Sequence, residues 1–130
     1  MDDYVRLEKE LGITPEMVEF AEQAKTVSVA ESGVFICPSD IDRMGVKVSK
    51  AIESGDRIAT VKDGEFRTVY GRYLNHSDTP NAVFTQGSRN TIDAVAIRDI
   101  NAWDEVTVDY RKILTPRAKR GMKEIIRSVV

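Results

Sequence analysis

The chain has 130 residues, 42% of them hydrophobic and 31% charged, with a formal net charge of −2. That length suits one domain with a real core and is too short for two ordinary ones, and the near-neutral charge gives no global pull toward nucleic acid. No apolar run reaches membrane-spanning length and the opening MDDYVRLEKE lacks the basic and hydrophobic regions of a signal peptide, so the expectation is an intracellular protein (cytoplasmic or, in a eukaryote, nuclear) with no membrane partner.

Taken in order, Tyr4, Val5 and Leu7 sit in a helix-compatible run that stops at Gly12, a C-terminal cap. Thr14 then precedes Pro15, the arrangement of an N-cap followed by proline at the first helical position. Met17, Val18, Ala21 and Ala24 recur at helical spacing, which predicts a second amphipathic helix over 15–24. This region is acidic. From Thr26 the chain changes to short β-prone runs, TVSVA, GVFIC, MGVKVS and RIATV, punctuated by Gly33, Pro38-Ser39 and Ser54-Gly55-Asp56. Cys37, the single cysteine, rules out an internal disulfide and a cysteine zinc cluster; on a strand it reads as a small buried hydrophobe. Asp63-Gly64 is the strongest hairpin signal.

Residues 72–82 (RYLNHSDTPNA) follow, and they hold the chain's one histidine. Asn75, His76, Ser77 and Asp78 are turn or cap formers, Thr79 is pushed toward extended geometry by the proline after it, and Pro80 has no N–H to donate. The expectation is an ordered, irregular loop between apolar flanks. Two readings fit it: a solvent-exposed turn, or a binding loop held by rigid strands. A strand over 82–85, a polar turn over 86–90 and a strand through Ile92, Ala94 and Ala96 come next, and Val106 and Val108 lead to Asp109 and Tyr110. Thr115-Pro116 opens a last helix whose apolar side is Leu114, Ala118, Met122, Ile125, Ile126 and Val129. Its basic residues, Arg117 to Arg127, suit either a solvated face or an acidic partner.

Three stretches, residues 34–61 (VFICPSDIDRMGVKVSKAIESGDRIATV), 72–82, and 96–110 (AIRDINAWDEVTVDY), resemble in this order the SET-domain family of protein lysine methyltransferases. The resemblance covers roughly 27–110, and the asparagine-histidine loop followed by an Asp-Tyr strand is its most specific part. It implies a mainly β fold with flanking helices, a β-clip-like set of short sheets closed by a C-terminal pseudoknot. The domain division it suggests is a helical extension over 1–26, a SET-like domain over 27–112 and a C-terminal helix over 113–130.

The same resemblance implies an S-adenosyl-L-methionine-dependent protein lysine N-methyltransferase, acting without metal on a protein substrate with an exposed lysine. Such a transfer asks the protein to align the nucleophile and to favour a neutral amine, since lysine in water has a pKa of about 10.4. By resemblance Asn75 holds the cofactor's amino-acid end, and His76 meets the adenine chiefly through its backbone. Arg72 and Tyr73 face or support the pocket. Arg43, Met44 and Gly45 form the turn that wraps the cofactor, and Tyr110 is the catalytic tyrosine. Each has a plainer alternative: Asn75 and His76 as ties between the loop and the crossing C-terminal segment, Tyr73 and Tyr110 as packing, Gly45 as an ordinary turn glycine.

Departures from the family pattern are equally legible. Arg43 stands at the first glycine of the family's Gly-x-Gly, and Trp103 where a glycine precedes the acidic pair. The insert that walls the lysine channel shrinks to residues 63–70; Lys62 lies near the place of a second active-site tyrosine, for which Tyr70 is the nearest stand-in. No aromatic residue follows Tyr110 to cap the adenine. These gaps keep open an alternative function, a non-catalytic SET-like module that binds a partner or the cofactor, and a homodimer is one way to complete the shortened wall.

Overall fold

In a computed structural model of the chain, residues 2–17, 19 and 25–112 are described. Helix α1 (Asp2–Leu11) is followed by a helical turn at 15–17 and 19, opened by the Met17 amide donating to Thr14 Oγ1 at 3.3 Å. The rest of the second expected helix, and the whole C-terminal helix, lie outside the described residues.

Nine strands follow among the described residues: β1 (Thr26–Val27), β2 (Val34–Pro38), β3 (Met44–Val48), β4 (Arg57–Asp63), β5 (Phe66–Thr68), β6 (Asn75–His76), β7 (Ala82–Gln86), β8 (Thr91–Ala96) and β9 (Glu105–Val108), with helix α2 (Val69–Tyr73) between β5 and β6. They form a five-stranded sheet, β1-β5-β4-β8-β7, and a four-stranded sheet, β2-β3-β9-β6. The fold is mainly β with short sheets, as the sequence predicts. The Asp63-Gly64 signal is a real hairpin, with Asp63 opposite Phe66 across a two-residue loop.

One core joins the two sheets: Val34, Val46, Val48, Ile58, Val61, Tyr70, Leu74, Ile100, Val106 and Val108 are all buried in it. The α2 helix packs on strands of both sheets and is the wedge between them. One correction to the sequence reading comes from this packing: Cys37 is half-buried, because β2 is an edge strand of its sheet. Tyr70 lies in the core, at 8% exposure on the buried side of α2.

The stretch 72–82 is less irregular than its composition predicts. Arg72 and Tyr73 close α2, and Asn75 and His76 pair in parallel with Thr107 and Val108 of β9. Local turn preference loses here to a partner strand that offers fixed backbone donors and acceptors. Residues 77–81 remain without regular structure.

Arg43 and Trp103, which stand at the two family glycine positions, keep positive φ values of 38° and 68°. A side chain in that region is strained by roughly 1–2 kcal/mol. The Arg43 side chain is 81% exposed and its ion pair with Asp42, at 3.6 Å, is a surface contact of little worth. Arg43→Gly is therefore expected to stabilise the fold by about 0.5 kcal/mol or more once the added freedom of the unfolded chain is subtracted. A rise in the thermal midpoint of a few degrees would show it.

Candidate functional site

Three segments converge where β6 lies beside β9. The first is the turn between β2 and β3. Ser39 Oγ accepts from the amides of Ile41 at 2.9 Å and Asp42 at 3.3 Å, which curls the chain back, and the Ser39 amide donates to the Arg43 carbonyl at 2.9 Å. The turn ends at Gly45, where a Cβ would collide with the Glu105 carboxylate, so glycine is needed for close approach whatever binds there.

The second segment is β6, delivered by α2. Thr68 starts α2 with one buried hydroxyl doing two jobs: it donates to the Thr60 carbonyl at 2.7 Å and accepts from the Gly71 amide at 3.2 Å. The helix lasts little more than a turn and releases Leu74, then Asn75, at a fixed place. Asn75 is 5% exposed. Its Nδ2 faces four acceptors, Glu105 Oε2 at 2.8 Å, Ser39 Oγ at 3.1 Å, the Met44 carbonyl at 3.1 Å and the Asp42 carbonyl at 3.2 Å. Surrounded by oxygens, that end of the amide must be the nitrogen, which assigns Oδ1 to the other side. There it accepts from the Tyr4 hydroxyl at 3.0 Å, and the same hydroxyl accepts from the His76 amide at 2.8 Å.

The third segment follows β9. The Tyr110 amide donates to His76 Nδ1 at 3.0 Å, and an N–H can only donate, so Nδ1 carries no proton. The ring is then the Nε2–H tautomer and donates to Asp78 Oδ1 at 2.8 Å. His76 thus ties the loop to the C-terminal segment through its side chain and leaves its backbone for other work. The Tyr110 hydroxyl donates to the Leu74 carbonyl at 2.6 Å, one residue before Asn75. Burial raises the Tyr110 hydroxyl well above its ordinary value, and the neighbouring Tyr4 phenol adds to the effect. The two rings meet edge to face with centroids 5.9 Å apart. At pH 7 both phenols are neutral donors.

Asn75, His76, Tyr110, Met44 and Gly45 are therefore brought together. Arg43 is in the same turn, but its side chain points to solvent and its carbonyl serves the turn. Tyr73 packs on the core with the Arg72 guanidinium 5.5 Å above its ring centroid, the packing alternative left open by the sequence. Three residues that sequence reasoning did not place in the site are in it. Tyr4 comes from α1. Ser39 and Glu105 bond to each other at 2.6 Å, and Glu105, the first residue of β9, is a partner of Asn75. Arg67 on β5 is 8% exposed, and burial lowers its guanidinium from the ordinary value. A cleft of 620 Å³ adjoins Asp109 and is lined also by Lys62, Pro80, Phe84, Gln86 and Lys112.

Among the described residues no group of three or more His, Cys, Asp or Glu is arranged to hold a metal ion. Asn75 Oδ1 and the His76 N–H offer one acceptor and one donor to a common point, where the Tyr4 hydroxyl sits.

Comparison with known proteins agrees with this architecture. The SET domain family model matches residues 14–111. A search of the curated proteins found no match. Among solved structures, a candidate histone methyltransferase of Plasmodium falciparum is 22% identical with a TM-score of 0.51, over 62% of this chain and 95% of that one. A humanized mutant of the Chaetomium thermophilum Polycomb Repressive Complex 2, bound to the inhibitor GSK126, is 15% identical with a TM-score of 0.55, over 73% of this chain and 16% of that one. A polycomb repressive complex 2 in the basal state is 18% identical with a TM-score of 0.52, over 66% of this chain and 16% of that one. At such identities the structures speak for the fold alone. The family model, covering most of the chain, gives the assignment: this protein belongs to the SET-domain family.

Proposed function

We propose that the protein is an S-adenosyl-L-methionine-dependent protein lysine N-methyltransferase. The observation that carries this reading is the contact of the Tyr110 hydroxyl with the carbonyl next to Asn75, which puts a buried neutral phenol beside the candidate donor-binding amide. When bound, S-adenosyl-L-methionine supplies an electrophilic methyl group that a neutral lysine amine takes in a single displacement. Asn75 Oδ1 is the acceptor for its ammonium group, the His76 N–H is a donor toward its adenine, and the Met44–Gly45 turn supplies backbone around it.

On the substrate side, the Leu74 carbonyl and the Tyr110 oxygen accept from the amine and fix where its lone pair points. The desolvated surroundings disfavour the ammonium form. The cleft beside Asp109 is the candidate seat for a protein segment. A homodimer remains the proposal for completing the short channel wall, and an intracellular site of action follows from the substrate class.

The test is Tyr110→Phe assayed with labelled donor on mixed protein substrates. The phenylalanine keeps the packing and removes the hydroxyl. Lysine methylation by the wild type that falls about a hundredfold or more in the variant, with donor binding retained, is the expected result. Donor binding by the wild type with no turnover on any lysine protein would move the assignment to the non-catalytic module.

A further inference from the structure

Helix α1 reaches the site from outside the sheets. It is held there by Leu7, 4% exposed, by the Tyr4 hydroxyl, and at its far end by a pair between Glu10 and Arg111 at 3.0 Å whose side chains are 48% and 35% exposed. The facing residues are mixed: Val5 is 43% exposed. Against this light attachment stands the specificity of the Tyr4 contact. One hydroxyl satisfies Asn75 Oδ1 and the His76 N–H together, the same acceptor and donor that a ligand with an ammonium and a purine would use. The single His76 N–H cannot donate to both occupants at once.

We propose that α1 is a displaceable plug: with Tyr4 in place the donor site is closed, and the donor binds only after α1 withdraws. The inference rests on reading Asn75 and His76 as the donor site, and it adds a closed state to that reading. Affinity for the donor is then reduced by the fraction of molecules in which α1 is docked, and anything that loosens α1 raises it. The opposite arrangement, Tyr4 as a permanent wall of the site, has the opposite sign, because loss of its hydroxyl would then weaken binding.

Calorimetric titration with S-adenosylhomocysteine decides between them, on the full chain, Tyr4→Phe and Glu10→Gln. Tyr4→Phe keeps the ring and deletes the two hydrogen bonds; Glu10→Gln touches only the exposed tie and leaves the site intact. The plug requires tighter binding in both variants, about tenfold for Tyr4→Phe and a few-fold for Glu10→Gln. It also requires faster amide exchange at residues 4–11 when the wild type is saturated. Equal binding by all three proteins, or weaker binding by Tyr4→Phe, overturns the plug and leaves the donor site standing. No binding by any of them overturns the donor-site reading and the plug with it.

Discussion

Asn75→Ala is expected to destabilise the fold by about 3 kcal/mol while also removing donor binding. The side chain is buried and its Nδ2 is the shared donor for Glu105, Ser39, Met44 and Asp42, four acceptors drawn from two strands and the turn between β2 and β3. Alanine leaves the Glu105 carboxylate to the Ser39 hydroxyl, and it takes the Asn75 acceptor from the Tyr4 hydroxyl. A buried polar group stripped of its partner costs roughly 1–3 kcal/mol, more when charged. Asn75→Asp, the change closest in shape, is expected to be at least as damaging, because it sets a second carboxylate against the first at 2.8 Å. Denaturant unfolding of both variants measures this. A loss below about 1 kcal/mol in Asn75→Ala would mean that water satisfies the cluster and that Asn75 serves a ligand alone.

That one amide both binds and braces explains which parts of the molecule could be read from its sequence. The strands could, because their signals are local. Strands over 82–85 and through Ile92, Ala94 and Ala96, separated by a polar turn, are legible in the sequence, and the structure pairs them antiparallel. The core positions of β9 could, since Val106 and Val108 alternate with the polar Glu105 and Thr107. The family pattern brought Asn75, His76 and Tyr110 to notice, and they do meet. What could not be read is the company they keep. Tyr4 is 71 residues from Asn75, and Ser39 is 66 residues from Glu105. No spacing rule reaches that far, and a serine in a Pro-Ser-Asp turn looks like any other turn former. The Asn-His stretch misled for the same reason. Its turn-forming residues are real, but the β9 edge beside them decides the conformation. Arg43 and Trp103 show the converse, positions where the backbone keeps a glycine-like turn although the residue is not glycine.

Gly71→Ala tests the element that aims the site. In an exposed helix this change would gain up to about 1 kcal/mol. Here the sign reverses. Gly71 is buried in α2, and a Cβ there would run into the Val61 carbonyl oxygen, with the Val61 carbonyl carbon at 3.1 Å and its Cα at 3.3 Å. The obstacle is backbone, and it cannot yield by a rotamer change. β4 is the central strand of its sheet, held between β5 and β8. The helix must therefore be the part that shifts, and Thr68, whose hydroxyl caps it through the Gly71 amide, loses that bond as it moves. Overpacking of this kind costs about 3 kcal/mol. Because α2 hands the chain directly to Leu74 and Asn75, the same displacement pulls the Leu74 carbonyl from Tyr110 and the Asn75 amide from Glu105. The expected signature is a lower unfolding midpoint together with weakened donor binding, from a methyl group that touches neither tyrosine nor asparagine. Unchanged or increased stability would show that α2 rides loosely on β4, and the site would then need some other support.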